Sequence, residues 1–248
     1  MKVIPLASSS KGNAYAVVDG GGETLLIDCG LSCRQMRARC AAAGVDLDSV
    51  AAVLVTHDHT DHVGGLRVFL GKYDVPVYAN LATAEKLVRD CAVAEESFVC
   101  FENGQSFVIG GMTVTPFPTP HDAVDPVGYL VETSAGVYFH GTDIGTPLDS
   151  IGRHLASADV AVLESNHDPV MLSASNRAES LKRRISGPRG HLSNDDAAEL
   201  VRRFASPKLK RIFLAHLSDE CNAPHLAEAA MRAALADIER NDVVLSVI

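Results

Sequence analysis

The sequence predicts an α+β fold in which two β-sheets pack face to face with helices outside them. Short apolar segments typical of strands alternate with longer segments typical of helices, and 47% of the 248 residues are apolar. No linker, repeat or low-complexity segment interrupts this pattern. A chain of this length can bury one substantial core or two thin layers, so we expect a single domain over residues 1–248.

The elements follow from apolar runs and the turn residues between them. The first half is predicted to contain strands near 2–6, 14–18, 24–28 and 51–55 and helices at 32–43, 63–72 and 81–91. The second half is predicted to contain strands near 98–101, 106–109, 112–117, 127–133, 136–140, 159–164, 211–215 and 243–248 and helices near 193–205 and 224–239. Pro224 suits the first turn of the last helix.

Composition excludes several classes of protein. No segment approaches the roughly 20 apolar residues that a membrane helix needs, so no membrane partner is expected. The residues before Ser8 are too few for a signal peptide. The six cysteines include no Cys-x-x-Cys pair, which together with the missing signal predicts reduced thiols and a cytoplasmic location. The oligomeric state stays open, with a dimer among the alternatives.

The segment Thr56–His62 is the strongest functional signal in the chain. It places three imidazoles and two carboxylates directly after the apolar run 51–55, which is typical of a buried strand. Neutral imidazole and carboxylate bind zinc, manganese or iron. His57 and His59 are two residues apart on an extended segment and can share one ion, whereas Asp61 and His62 fit a second ion better. Further ligands must come from distant strands.

The His-x-His-x-Asp-His order of this segment resembles the signature of the metallo-β-lactamase superfamily. Three later motifs extend the resemblance, each just after a short apolar strand: Pro120-His121-Asp122, Gly141-Thr142-Asp143 and Ala215-His216-Leu217. The resemblance implies a four-layer αββα sandwich and two divalent ions, zinc or manganese. It assigns His57, His59 and His121 to one ion, Asp61, His62 and His216 to the other, and Asp143 to both. Asp28 would brace the metal loop through hydrogen bonds.

A narrower resemblance is to the bacterial YycJ (WalJ) group of metallo-hydrolases, near the ribonuclease Z and phosphodiesterase branch. It rests on five groups of polar motifs: Ser8–Asn13, His121-Asp122-Ala123 with Pro126–Tyr129, Glu164–Asp168, Gly190–Asn194 and His216–Ser218. The resemblance implies 5′-to-3′ DNA exonuclease activity, with DNA favoured over RNA as the nucleic acid partner. His191 would then protonate or steady the leaving group.

These motifs supply the remaining candidate site residues. The candidate catalytic residues are His191, Asp61, Glu164 and His167, and the candidate substrate-binding residues are Ser9, Ser10, Asn13, Asn166, Ser193 and Asn222. The backbone of Ser8–Asn13 could cradle a phosphate, or the segment could be only a hairpin turn. Glu164–Asp168 could line a cleft, or it could be a structural cap at the end of a strand.

Charge is unevenly distributed along the chain. The formal net charge is −9, but ten Lys or Arg and four acids lie between Arg177 and Arg211, a local excess of +6. Residues 182–189, which we call the basic strip, carry the densest part and lead directly to His191. A phosphate backbone needs such a positive surface. The alternative is an ordinary solvated helix surface followed by a turn.

The sequence therefore predicts a dinuclear phosphodiesterase, and a DNA nuclease is the favoured kind. A hydroxide that bridges the metals would attack phosphorus, and His191 would assist departure of the leaving oxygen. An alternative is hydrolysis of a thioester, lactone or β-lactam on the same metal pair. A third class, a non-catalytic metal-dependent sensor or scaffold, would be expected to lack a ligand, and none is missing here.

Overall fold

The computed structural model describes residues 1–248 and has mixed α/β structure. Thirteen strands form two sheets, one of six strands and one of seven, and nine α-helices accompany them. None of the helices combines the length and the apolar character needed to cross a membrane. The chain divides into two compact units: unit 1 contains residues 1–118 and 123–136, and unit 2 contains residues 119–122 and 137–248.

Unit 1 contains the six-stranded sheet, whose spatial order follows the chain. Its strands are β1 (Lys2–Ala7), β2 (Ala14–Val18), β3 (Thr24–Ile27), β4 (Val50–Leu54), β5 (Val77–Asn80) and β6 (Phe98–Phe101). The first three strands pair antiparallel, and β3 to β6 pair in parallel. Because parallel strands end at the same edge of a sheet, the residues after β3 and β4 are neighbours.

Four helices of unit 1 connect these strands: α1 (Cys33–Ala43), α2 (Thr60–Val63), α3 (Leu66–Leu70) and α4 (Leu81–Cys91). A capping box of Ser32 and Gln35 begins α1, and Gly44 ends it in the left-handed conformation at φ 68°. Met36 and Cys40 of α1, with Phe69 of α3, pack in one apolar core with the sheet. The helix therefore buries Cys40 against the sheet.

The rest of unit 1 is an antiparallel meander that belongs to the second sheet. Its strands are β7 (Phe107–Ile109), β8 (Met112–Pro118) and β9 (Val127–Thr133). The ring of Phe107 stacks on Tyr78 of β5 at 5.0 Å and on Phe101 of β6 at 5.2 Å. Stacking of this kind fixes the meander against the six-stranded sheet.

Unit 2 contains four strands of the second sheet, all parallel: β10 (Gly136–Gly141, of which Gly136 belongs to unit 1), β11 (Val160–Glu164), β12 (Arg211–Ala215) and β13 (Val244–Val247). Five helices lie between or after them: α5 (Asp149–Leu155), α6 (Pro169–Ala174), α7 (Glu179–Ile185), α8 (Asn194–Phe204) and α9 (Pro224–Asp237). Here too, the residues that follow β10, β11 and β12 meet at one edge of the sheet.

The structure adds elements that the sequence pattern does not predict, namely β5 and the helices α5, α6 and α7. Each is four to seven residues long, too short to show a clear period. The helix predicted at 63–72 is instead α2 and α3, separated by Gly64-Gly65. A Cβ at Gly65 would lie 1.8 Å from the carbonyl oxygen of Leu31, so the chain approaches another backbone segment where a side chain has no room.

Candidate metal centre

The metal loop of unit 1 follows β4 and carries four of the predicted ligands within six residues. His57 and His62 are buried, and His59 and Asp61 are half-buried at the start of α2. The ring centroid of His57 lies 4.7 Å from that of His59 and 4.1 Å from that of His62. The three imidazoles therefore lie close together, as expected for side chains within a segment of six residues.

Asp28 is one support of this loop. It lies just after β3, is fully buried, and has a left-handed backbone with φ 61°. Its carboxylate accepts hydrogen bonds from Thr56 N at 2.9 Å and Thr56 Oγ1 at 2.8 Å, and its Oδ2 lies 2.6 Å from His62 Nδ1. The bracing contacts expected for Asp28 are therefore present, and they orient His62 through the nitrogen that would not bind a metal.

Asn13 connects the Ser8–Asn13 turn to the same loop. Its side chain accepts from Ser9 N at 3.1 Å, and its Nδ2 lies 3.2 Å from Asp61 Oδ2 and 3.0 Å from His62 Nε2. Its backbone N–H donates to Asp61 O at 2.7 Å, and its carbonyl accepts from Gly30 N at 3.0 Å. The predicted role of Asn13 in substrate binding stays a prediction, but the residue is fully buried and contacts two predicted ligands.

Unit 2 assembles its own group of candidate site residues from three strand ends. Asp143 follows β10, Glu164 ends β11, and His216 follows β12. Asp143 and His216 have φ of 57° and 58°, which is an uncommon backbone conformation for residues other than glycine. Such backbone strain tends to occur at functional sites. One nitrogen or oxygen each from Asp143, Glu164, His191 and His216 lies within 4.8 Å of the others.

Glu164 joins the histidines of unit 2. Its Oε1 lies 2.8 Å from His191 Nδ1 and 3.0 Å from His216 Nδ1. Its Oε2 accepts hydrogen bonds from the backbone N–H groups of Ile144 at 2.8 Å and Leu192 at 3.1 Å. Because Glu164 pairs with Ala215 in the register of β11 and β12, His216 is the next residue along the neighbouring strand. One fully buried carboxylate thereby serves two imidazoles and two loops.

His121 reaches the same region of unit 2 from residues 119–122. Its Nδ1 lies 2.9 Å from the carbonyl oxygen of Gly190, and its Nε2 lies 3.5 Å from Asp143 Oδ1. Its ring centroid lies 5.0 Å from that of His191. Within unit 2 the structure therefore brings together His121, Asp143 and His216 with the two candidate catalytic residues Glu164 and His191.

The charges of these groups have clear physical causes. Burial opposes ionisation of Glu164, but the charge of His191 and hydrogen bonds from His191 and His216 bring the pKa of its carboxyl group to about 2. Burial also lowers the pKa of His191, but the charge and hydrogen bond of Glu164 outweigh it and raise that pKa above its ordinary value. Burial lowers the pKa of His121, which favours the neutral imidazole that a metal requires.

The donor groups in both units fit a divalent metal. His62 and His216 contact a carboxylate through Nδ1, His121 contacts a carbonyl, and the Nδ1 of His57 lies 3.0 Å from Thr56 Oγ1. A histidine held through Nδ1 coordinates through Nε2, and this pairing is usual around metal ligands. Asp61 and Asp143 add the carboxylate oxygens.

The predicted substrate-binding residues of unit 2 lie in a buried polar network. Ser193 caps α8 by accepting from Asp196 N at 3.0 Å, and Asn166 Nδ2 donates to His216 O at 2.8 Å. Asn222 Nδ2 donates to Ser165 O at 2.8 Å and to Asn194 Oδ1 at 2.9 Å. In unit 1, Ser9 accepts from Gly12 within its own turn, and Ser10 is exposed. Their contact with substrate stays a prediction.

The basic strip spans the end of α7 and the turn after it, and most of its cations already have partners. Lys182 lies 3.1 Å from Glu179, Arg184 pairs with Asp122, and Arg189 Nε donates to the carbonyl oxygen of His121 at 3.0 Å. Arg183 is exposed and has no ion pair. The positive charge available to a ligand is therefore smaller than the sequence alone indicates.

Two residues that the sequence did not single out are central to these contacts. Thr56 bonds to Asp28 and contacts His57, so it links the brace to the first predicted ligand. Asn194 bonds to Ser165 and Asn222 in the buried network of unit 2. Thr56 begins the segment that carries the metal signature and Asn194 ends the Gly190–Asn194 motif, so the position of each was a usable signal.

Comparison with known proteins identifies the family. Residues 23–217 match the model of the β-lactamase superfamily domain. Exodeoxyribonuclease YycJ of Bacillus anthracis is 35% identical over 94% of this chain and 88% of its own length, and exodeoxyribonuclease WalJ of Streptococcus pneumoniae is 33% identical over the same shares. The crystal structure of zinc-bound PqqB from Methylobacterium extorquens shares the fold, with a TM-score of 0.74 at 16% identity over 100% of this chain and 97% of that one.

These matches confirm the predicted fold class, the superfamily and the narrower resemblance. The donor groups of both units are imidazoles and carboxylates, the ligand types that divalent metals accept. The chain therefore belongs to the metallo-β-lactamase superfamily, is related to YycJ and WalJ, and is a metal-dependent hydrolase.

Proposed function

We propose that the protein is a dinuclear phosphodiesterase that degrades DNA as a 5′-to-3′ exonuclease. The observation that carries this proposal is the similarity, over nearly the whole chain, to two exodeoxyribonucleases. The hydrogen-bonded pair of Glu164 and His191 supports it, because a histidine held in this way can transfer a proton to a leaving oxygen.

The proposed metal ligands are those of the sequence signature. His57, His59 and His121 would hold one ion, Asp61, His62 and His216 the other, and Asp143 both. Either zinc or manganese suits an imidazole and carboxylate set of this kind. When bound, such a pair supplies a hydroxide at neutral pH and stabilises the negative charge that develops on the phosphate.

The protein's own groups would handle the proton and the orientation of the ligands. Glu164 accepts from His191 Nδ1, which leaves the opposite ring nitrogen, Nε2, to carry a proton to the leaving oxygen. The same carboxylate fixes the ring of His216, so proton transfer and metal binding would share one support. Asp28 plays the corresponding orienting role for His62 in unit 1.

Cleavage assays with defined nucleic acids test the proposal. Metal-loaded protein is incubated with duplex DNA, single-stranded DNA and RNA, each labelled at the 5′ or the 3′ end. We expect mononucleotides to be released first from the 5′ end of DNA, and chelation followed by re-addition of metal to abolish and restore the release. Hydrolysis of a thioester, lactone or β-lactam without cleavage of any nucleic acid would contradict the proposal.

A variant of His191 tests the proton-transfer role separately. We expect His191→Ala to retain its metals and to lower turnover of a DNA phosphodiester by about 10²-fold, the usual scale for a positioned proton donor. The loss should shrink for bis(p-nitrophenyl) phosphate, whose leaving group needs little protonation. His225→Ala, an exposed position on α9, is the matched control. Equal losses for both substrates would argue against a general acid.

A further inference from the structure

We propose that unit 2 binds a second phosphate group, one that is not cleaved, in a cavity beside α6 and α7. The cavity has a volume of about 310 Å³, and the polar residues that line it are His167, Ser173, Glu179, Lys182, Arg183 and Ser186. This volume lies at the lower end of the range typical of small-molecule sites, about 300–1,000 Å³. None of the proposed metal ligands lines it.

His167 provides the first indication of a ligand. It follows β11, is only 3% exposed, and its buried Nδ1 has no hydrogen-bond partner. A buried polar atom without a partner is destabilising, and most such atoms in native proteins are hydrogen-bonded. Because His167 is one of the residues that line the cavity, a ligand oxygen bound there would supply the missing acceptor.

The cations around the cavity provide the second indication. Arg183 is exposed, has no ion pair, and carries five N–H donors in a planar fork. Lys182 Nζ donates to the carbonyl oxygen of Ser173 at 2.8 Å and lies 3.1 Å from Glu179, which leaves a third N–H available. The Glu179 carboxylate is 72% exposed, so the cost of displacing it from Lys182 is small.

These groups select the chemical class of the ligand. The cavity is lined by one imidazole, one ammonium, one guanidinium and the hydroxyl of Ser173, and by only one carboxylate, so it is suited to an oxyanion. The hydroxyl of Ser186 already donates to the carbonyl oxygen of Lys182 at 3.0 Å. Arginine forks bind phosphate through paired hydrogen bonds. A metal ion is a poor match, because only one imidazole and one carboxylate line the cavity.

The phosphate would belong to the nucleic acid substrate, and this part of the inference rests on the proposed function. It could be the phosphate at the end of a strand or a phosphodiester within it, since both present the same oxygens. Phosphate binding itself does not depend on cleavage and can be measured without it. The proposal therefore gives His167 a role in binding instead of the catalytic role that the sequence predicts.

Nuclear magnetic resonance of histidine-labelled, metal-loaded protein provides the test. Inorganic phosphate is titrated while the ring signals of His167 are followed, which separates this cavity from binding at the metals. We expect saturable shifts of the His167 ring. Arg183→Gln should weaken phosphate binding at this position by about tenfold or more, the scale of a lost charge-assisted contact. Arg232→Gln, which removes the same charge from α9, should leave the binding unchanged.

Oligonucleotides with uncleavable phosphorothioate linkages distinguish the two sources of the bound phosphate, the end of a strand and a phosphodiester within it. A shift of His167 with a 5′-phosphorylated strand but not with a 5′-hydroxyl strand identifies the terminal phosphate, whereas equal shifts identify a phosphodiester. The inference is overturned if phosphate leaves the His167 signals unmoved or if Arg183→Gln binds it as tightly as Arg232→Gln. Loss of nuclease activity with intact phosphate binding would contradict only the proposed function.

Discussion

The groups of candidate ligands in unit 1 and in unit 2 are built in opposite ways. In unit 1, four predicted ligands lie within six residues of one loop, and Asp28 and main-chain hydrogen bonds hold that loop in place. In unit 2, Asp143 and His216 are more than 70 residues apart in the chain and meet only because their strands end at one edge of the sheet. Glu164 then ties that group together.

This difference predicts different responses to substitution. The loop of unit 1 is supported by many separate contacts, so the loss of one should leave the others in place. The group in unit 2 depends on a single buried carboxylate with four hydrogen-bonding partners, and removing it should disturb several residues together. We therefore expect the loop of unit 1 to tolerate the loss of a single contact, whereas the group of distant residues in unit 2 should be disturbed as a whole when its one shared carboxylate is removed.

The largest expected effect is on metal content. We expect the wild-type protein to carry close to two transition-metal ions per chain, and Asp143→Ala to lose most of both, because the proposed bridging carboxylate serves each ion. Elemental analysis by mass spectrometry after removal of free metal provides the measurement. Asp149→Ala, at an exposed carboxylate in the same unit, is the control. A fully loaded Asp143→Ala protein would show that the bridge is misassigned.

The next effect compares the two supporting carboxylates directly. In the metal-free protein, Glu164→Gln should lower the free energy of unfolding by about 3 kcal/mol, because it leaves the half-buried His191 without its charged partner and places an amide donor among other donors. Asp28→Asn keeps one oxygen for Thr56 and tolerates the left-handed backbone, so we expect a loss of about 1–2 kcal/mol. Denaturant titrations measure both, and equal losses would remove the contrast between the two units.

The same contrast explains what the sequence could predict. The ligands of the loop, the capped helix α1 and the buried strand β4 depend on neighbouring residues, so their patterns are visible in the chain. The contact of Glu164 with His216 depends on the register of β11 against β12, which no local pattern encodes. The short helices α6 and α7 and the partners of the basic strip likewise depend on tertiary packing.

Substitution of a glycine next to the metal loop should have a smaller effect on stability, confined to that loop. A Cβ at Gly30 would lie 1.7 Å from the carbonyl oxygen of Asp61, so Gly30→Ala must displace the loop backbone. We expect the free energy of unfolding to fall by about 2 kcal/mol, as for other overpacked sites. Gly20→Ala, where nothing lies within 4 Å, should change it by less than about 0.5 kcal/mol. Thermal unfolding of both variants measures the difference.

The smallest expected effect concerns the basic strip and distinguishes cations that have partners from those that do not. Arg184 pairs with Asp122, whereas Arg183 has no ion pair, so of these two arginines only Arg183 brings an uncompensated charge to a phosphate backbone. Arg183→Gln should therefore reduce the slope of log affinity against log salt by about 0.9 on duplex DNA, or about 0.7 on a single strand. Arg184→Gln should reduce it by clearly less, because the Asp122 carboxylate already neutralises that guanidinium. Fluorescence anisotropy with uncleavable DNA across a salt series measures the slopes.

If both variants change the slope equally, DNA displaces Asp122 from Arg184 and the whole basic strip is available to the phosphate backbone. If neither changes it, the strip is an ordinary solvated surface.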